Sequence, residues 1–260
     1  MIVYGTRDVQ LDAIGAPIVD LEDQEPLEIK DGEILQVISE LTFKGFDGRV
    51  PPALHPSHPP FATMLFYHAP DSSFGPFTMA LVRVSSLAGI SRFGYPIRGW
   101  INNSVAREVF GRRWGYRLDA ADVSLHRRYD RVWGTVRVDG AVVLDVGLYD
   151  PEPVSGADAN HAGHLNVGLV EDNGSMVPTL VQAGPQLAFR KCDRGRPHVT
   201  TFDGEAIGCD APYWPVSSFA GHCDFLFGPV AFVCDPTVPA VDRGMTLMGS
   251  LHVVEHPQHA

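Results

Sequence analysis

Glycine and proline cut this chain into pieces too short for long helices. Of its 260 residues, 26 are Gly and 21 are Pro. Apolar residues at helical spacing rarely persist beyond about three turns. Between the breaks lie short runs rich in β-branched and aromatic residues, which predict many strands. Residues 62–68 (ATMLFYH) and 77–85 (FTMALVRVS) are two of these. In the first, alternation puts Met64, Phe66 and His68 on one face and Thr63, Leu65 and Tyr67 on the other. Residues 121–125, 131–138 and 141–148 read as strands, the last two joined by Asp139-Gly140, a strong hairpin signal. Residues 165–170, 179–182 and 186–191 resume short strands. Residues 33–41 fit either helix or strand.

One stretch carries a helical signal, residues 93–119 (FGYPIRGWINNSVAREVFGRRWGYRLD). Residues 95–101 are extended, and Asn102, Asn103 and Ser104 are turn and N-cap types. Val105 to Arg112 reads as two helical turns, with Val105, Val109 and Phe110 inward and Arg107, Glu108 and Arg112 outward. Gly115 stands where a helix end favours positive φ.

This stretch resembles the acetoacetate decarboxylase family, in which a strand leads into Asp-Asn, a short helix and an aromatic-Pro-Lys-Lys turn. Ile101-Asn102-Asn103 falls on the strand end, Tyr116 on the aromatic residue, and Arg117-Leu118-Asp119 on Pro-Lys-Lys. In relatives the first lysine is the Schiff-base nucleophile and the second lowers its pKa. Those positions are Leu118 and Asp119 here, so the resemblance implies the frame without the amine. Similarity extends over roughly residues 33–235. It implies a β-rich α+β fold, a cone-shaped antiparallel β-barrel around an internal cavity with few short helices. It also implies one domain over residues 1–260, with 1–32 an irregular lead-in and 236–260 a C-terminal tail. The two pocket glutamates of relatives fall on Met64 and Met79, and a pocket arginine falls near Gly32.

Composition narrows the function classes. A net charge of −11 lacks the basic footprint of a nucleic-acid or anionic-membrane binder. No run reaches the roughly 20 apolar residues of a membrane span, and the N-terminus lacks the pattern of a signal peptide. A cytoplasmic protein is expected. The four cysteines, Cys192, Cys209, Cys223 and Cys234, form no C-x-x-C pair and read as buried free thiols. His55-x-x-His58 lacks further ligands at metal spacing. Hydrolase elbows and glycine-rich nucleotide loops are absent. No metal or cofactor is expected.

The residues expected to face the cavity follow from the resemblance and the alternation. Arg98, His68 and Asp119 are the catalytic candidates. A buried Arg98 must be paired or meet an anion, His68 can move a proton near neutral pH, and Asp119 can pair with Arg98 or accept a proton. Met64, Phe66, Met79, Tyr95, Trp100, Tyr116 and Leu118 are the expected substrate walls. Glu108, His222 and Asp224 rank behind them. The expected function is a Schiff-base-independent enzyme acting on an apolar keto, enol or polyketide-like molecule by a lyase or cyclase step, as a homo-oligomer. The alternatives are a non-catalytic binder of a hydrophobic small molecule and a decarboxylase with a relocated lysine, taken from Lys30, Lys44 and Lys191.

Overall fold

The computed structural model describes residues 16–42, 50–51, 53–88, 91–159, 161–230, 233–234 and 251–252. Lys44-Gly45-Phe46-Asp47-Gly48, which reads from the sequence as a turn, and nearly all of the C-terminal tail lie outside them. The elements run β1 (Leu27–Glu40), β2 (His55–Pro56), β3 (Phe61–Ala69), β4 (Phe77–Ala88), β5 (Ser91–Ile101) and α1 (Ser104–Trp114). Then come β6 (Asp119–Ala120), β7 (Asp122–Arg127), β8 (Arg131–Val138), β9 (Ala141–Val154), β10 (Gly163–Asp172) and β11 (Ser175–Ala183). The chain closes with β12 (Gln186–Phe202), α2 (Gly204–Ile207), β13 (Trp214–Phe227), β14 (Val233–Cys234) and β15 (Leu251–His252).

The fold is β-rich α+β, as expected, with every strand in one continuous sheet. The main path is β15-β14-β11-β10-β5-β4-β3-β1-β13-β12-β9-β8-β7, with β2 and β6 attached to β4 and β5. Among the described residues β7 and β15 do not pair with each other, so the sheet is open and strongly curled rather than a closed cone. Most ladders are antiparallel; β5 meets β10 in parallel at Phe93–Gly163 and Gly94–His164 only. Of residues 33–41, residues 33–40 resolve as strand, and β1 begins already at Leu27, inside the expected irregular lead-in. Residues 150–166, which read from the sequence as the longest loop-like segment, hold a shorter connection, because β9 continues to Val154 and β10 starts at Gly163.

Alternation along β3 divides the interior into two layers. Met64 and Phe66 face a first layer with Leu35, Val82, Trp100, Val132 and Leu144. Leu65 and Tyr67 face a second, with Ile34, Met79, Leu81, Phe110 and Phe225. Helix α1 closes the second layer. Asn103 caps it, its side chain accepting from the Ala106 N–H at 3.0 Å, and Gly115 ends it at φ 67. The buried face is Ala106, Phe110 and Trp114, not the expected Val105, which is 55% exposed. The stripe is turned by about one residue because the ring stack decides it: Phe110 lies edge-on to Phe77, Tyr116 and Phe227 at 5.4, 5.6 and 5.0 Å between centroids. Each such buried ring contributes about 1.5–3 kcal/mol by burial.

Candidate functional site

The sheet separates the residues expected to line one cavity. Met64, Phe66, Tyr95 and Trp100 belong to the first layer, whereas Met79, Tyr116 and Leu118 belong to the second. Residues on opposite faces of a sheet cannot share a pocket wall, so the expected single lining is corrected. Arg98 and Asp119 do meet, in an ion pair of 3.0 Å near the surface. The Arg98 guanidinium also lies over the Trp100 ring at 5.8 Å. His68 is not with them. Its Nδ1 contacts Thr78 Oγ1 at 2.9 Å, and the β4 partner of Arg98 is Val82, four residues or about 13 Å along the strand. The three catalytic candidates therefore do not form one constellation. Among the second-rank residues, Glu108 is exposed, His222 lies 4.0 Å from Glu33, and Asp224 is bound by Arg190 at 2.8 Å.

A different set of polar side chains converges in the second layer, between β1, β3, β4, β10 and the turn that follows α1. Arg83 of β4 is 1% exposed. Its Nη1 donates to Ala162 O at 2.8 Å and to His164 Nε2 at 3.2 Å, and its Nη2 donates to Gln36 Oε1 at 3.2 Å. Tyr67 Oη stands between two imidazoles, 3.2 Å from His161 Nε2 and 3.0 Å from His164 Nε2. His161 Nδ1 is 3.4 Å from Gln36 Oε1. The Tyr116 ring packs on His164 at 5.5 Å. Gly94 makes the close approach possible, because a Cβ there would sit 2.8 to 2.9 Å from Nε, Cδ and Cζ of Arg83.

The electrostatics of this cluster are one-sided. Among the described residues no carboxylate pairs with Arg83. Burial pushes the Tyr67 and Tyr116 hydroxyls above their ordinary pKa, so neither is a phenolate that could balance the guanidinium. Burial, followed by the Arg83 charge, lowers His161 to about 3 and takes His164 well below its usual value. Both imidazoles are neutral. Burial depresses the Arg83 pKa as well, yet a guanidinium retains its proton at physiological pH. One buried positive charge is thus surrounded by neutral polar groups. Arg83 Nε, His164 Nδ1 and Tyr116 Oη have no hydrogen-bond partner among the described residues. Buried charges are paired or meet a ligand, so the arrangement suits an anion.

Tyr116 and Leu118 also line a groove of about 1530 Å³ along α1, together with Ile18, Arg112, Asp119 and Met176. Both also belong to the second layer. Among the described residues, no group of three or more His, Cys, Asp and Glu side chains is placed to hold a metal ion. Of the polar cluster, sequence reasoning reached only Tyr116. Arg83 carried a usable signal: a lone charge in a strand whose neighbours, Leu81, Val82 and Val84, are apolar on both faces. His161 and His164 carried none, since only the short parallel contact with β5 brings them in.

The sequence profile of the acetoacetate decarboxylase family matches residues 17–184. No curated protein sequence matches the chain. Among solved structures, one from structural studies of acetoacetate decarboxylase superposes with a TM-score of 0.71 at 15% identity, covering 85% of this chain and 96% of that one. Acetoacetate decarboxylase from Legionella pneumophila gives 0.67 at 15% identity, covering 80% and 87%. The enduracididine biosynthesis enzyme MppR, complexed with pyruvate, gives 0.65 at 15% identity, covering 78% and 88%.

Proposed function

The chain belongs to the acetoacetate decarboxylase family, and on that premise we propose that it is a lyase-type enzyme working without a Schiff base on a small keto or enol acid. The substrate carboxylate lies against Arg83. The observation carrying this reading is the buried guanidinium with no carboxylate partner among the described residues. Of its five N–H donors, Ala162, His164 and Gln36 take three. Nε–H and one Nη2–H remain, and two such donors on one guanidinium suit a bidentate carboxylate. The substrate is therefore anionic at one end, unlike the wholly apolar molecule expected from sequence.

The lysines support the absence of an imine. Leu118 falls where the resemblance places the family's Schiff-base lysine, and it lies over Gly99 in the second layer, which also holds Leu81. Lys30 and Lys191 have side chains 57% and 55% exposed and are ion-paired with Glu28 and Asp193. Its acidic neighbours raise the Lys30 pKa further, Glu28 foremost. A protonated, solvated amine is a poor nucleophile. Lys44 lies outside the described residues. In the step proposed, the bond between the carboxylate of a 3-keto acid and the carbon next to its keto group breaks, and CO2 leaves. The electron pair moves onto the keto oxygen as an enolate, and a solvent proton is then added to that carbon. A fixed positive charge nearby favours that developing anion, and orientation in a closed layer supplies up to roughly 7–11 kcal/mol.

The test is a panel of 2-keto and 3-keto acids, pyruvate and acetoacetate included, followed by NMR with and without borohydride. Consumption of a panel member is expected, with no reduced adduct in the intact mass. Arg83→Leu is expected to lose about a hundredfold or more in rate, because it removes the charge that binds the substrate. An adduct on any lysine, or full activity in Arg83→Leu, overturns the proposal. Binding without consumption of any member makes the protein a carrier instead.

A further inference from the structure

Cations gather on the outer face of β7, β8, β9 and β12. Val132, Leu144, Val146 and Leu148 face the first layer, so the residues alternating with them look outward. Register places His126, Trp133, Gly147 and His198 in one row across the four strands. The next row holds Arg131, Tyr149 and Arg196. Arg128 joins it from the turn, its backbone N–H donating to Arg131 O at 2.8 Å. Trp133 lies at the centre: Arg131 Cζ is 4.8 Å and Arg128 Cζ 5.5 Å from its ring centroid, and the His126 ring is 5.2 Å away.

One arginine over an indole is ordinary packing, because its stem covers the ring. A second has a cost, since like charges directly opposite across two strands repel. Acidic residues outnumber basic ones by 31 to 20 in this chain, yet among the described residues no carboxylate answers this pair. Asp150 is taken by Arg196 at 2.6 Å, and Asp145 accepts from Thr135. Asp130, in the same turn, pairs with neither arginine. Arg131 Nε is covered and has no hydrogen-bond partner, which leaves the two Nη groups as its outward edge.

We propose that Arg128 and Arg131, laid on Trp133, form a surface binding site for a phosphomonoester, independent of the Arg83 cluster. A phosphomonoester carries about two negative charges at pH 7 and three acceptor oxygens, so one group answers both guanidiniums. A carboxylate answers only one. Stacking on the indole fixes the plane of each guanidinium, so less freedom is lost when its N–H edge meets the phosphate. Beyond the arginines the same face continues with the Tyr149 and His198 rings, edge-on at 5.3 Å. The organic part of the ligand lies along them. The site is at the surface and needs no route into the interior.

The experiment follows the indole N–H signals of the four tryptophans in 15N–1H spectra of the full chain at fixed ionic strength. Inorganic phosphate, phenyl phosphate and acetate are titrated in turn, with Trp133→Phe assigning the signal. Both phosphates are expected to move the Trp133 signal saturably, at concentrations about tenfold below any effect of acetate. Phenyl phosphate is expected to bind the tighter of the two. Arg128→Gln and Arg131→Gln, both changes at the surface, are each expected to weaken binding about tenfold. Acetate is the probe for Arg83, and the Trp133 response to phosphate is expected to survive in Arg83→Leu. A linear shift that acetate matches means an adventitious ion only and overturns the inference, as does wild-type phosphate affinity in either arginine variant. Equal affinity for the two phosphates assigns the site to the free ion and overturns the monoester. Loss of the Trp133 response in a folded Arg83→Leu moves the phosphate to the buried cluster, which overturns this site and leaves the Arg83 reading standing. The wild-type titrations decide the matter even if a variant does not fold.

Discussion

At the scale of single residues, the informative pair is Arg83 and Gly94. The guanidinium lies against the bare Cα of β5, so Gly94→Ala forces a methyl to within 2.8 Å of Nε. The side chain is held by Ala162, His164 and Gln36 and has no solvent to retreat into. Gly94→Ala is expected to cost about 1–3 kcal/mol in urea melts and to weaken acetate binding, whereas a mere loop glycine would leave both unchanged. Residue identity was also where sequence reasoning divided. The lack of lysine at positions 118 and 119 was plain. The contact between Arg98 and Asp119 was legible too, since both lie in the stretch 93–119, on either side of the helix. The grouping of Met64 with Met79 was not. They fall on equivalent positions of two neighbouring strands only if register is ignored, and the ladder pairs Met64 with Val82 and Met79 with Tyr67. One residue of register moves a side chain to the other layer.

Elements were legible where their signals are local. The Asn103 cap and Gly115 terminator bracket α1 as expected, and Asp139-Gly140 turns β8 into β9 with φ of 50 and 84. The inward face of α1 was not, because it depends on which rings the rest of the chain offers. Asn103 does more than cap: its Nδ2 donates to Phe74 O and Pro76 O at 3.0 and 3.1 Å, tying the helix to the β3–β4 turn. Asn103→Ala is therefore expected to cost about 2 kcal/mol, at the upper end for a lost cap, with Asn103→Asp recovering the cap bond alone. Between strands the corresponding contact is Phe66 of β3 against Gly134 of β8, where a Cβ would meet the ring at 2.7 Å. Phe66 is 0% exposed and cannot move outward. Gly134→Ala is expected to lower stability by about 1–3 kcal/mol without altering anion binding, since Arg83 lies on the other face of the sheet. Calorimetry and acetate titration on the same variant separate the two layers.

For the whole molecule, the buried cluster makes an acid-labile fold. Burial and the neighbouring Arg83 charge keep His161 at about 3 and His164 well below its ordinary value, against about 6.5 when unfolded. Below that value the unfolded chain binds protons that the folded chain refuses, so stability falls as pH drops. The stabilising contribution is complete above about pH 7 and declines from there toward pH 3. Each excluded proton is worth about 1.4 kcal/mol per pH unit. His161 is reached by some solvent, and its share is the smaller. Between pH 6 and 5, where carboxylates contribute little, urea melts are expected to show a loss of more than one and fewer than two protons' worth. The slope should vanish in His161→Phe/His164→Phe. A bound anion at Arg83 offsets the lesser of the two causes that oppose protonation, burial being the larger, so saturating acetate is expected to reduce the slope in the wild-type protein without abolishing it. A flat profile without acetate means that the imidazoles are solvated in the folded state, and the closed polar layer is then wrong as a description of the molecule.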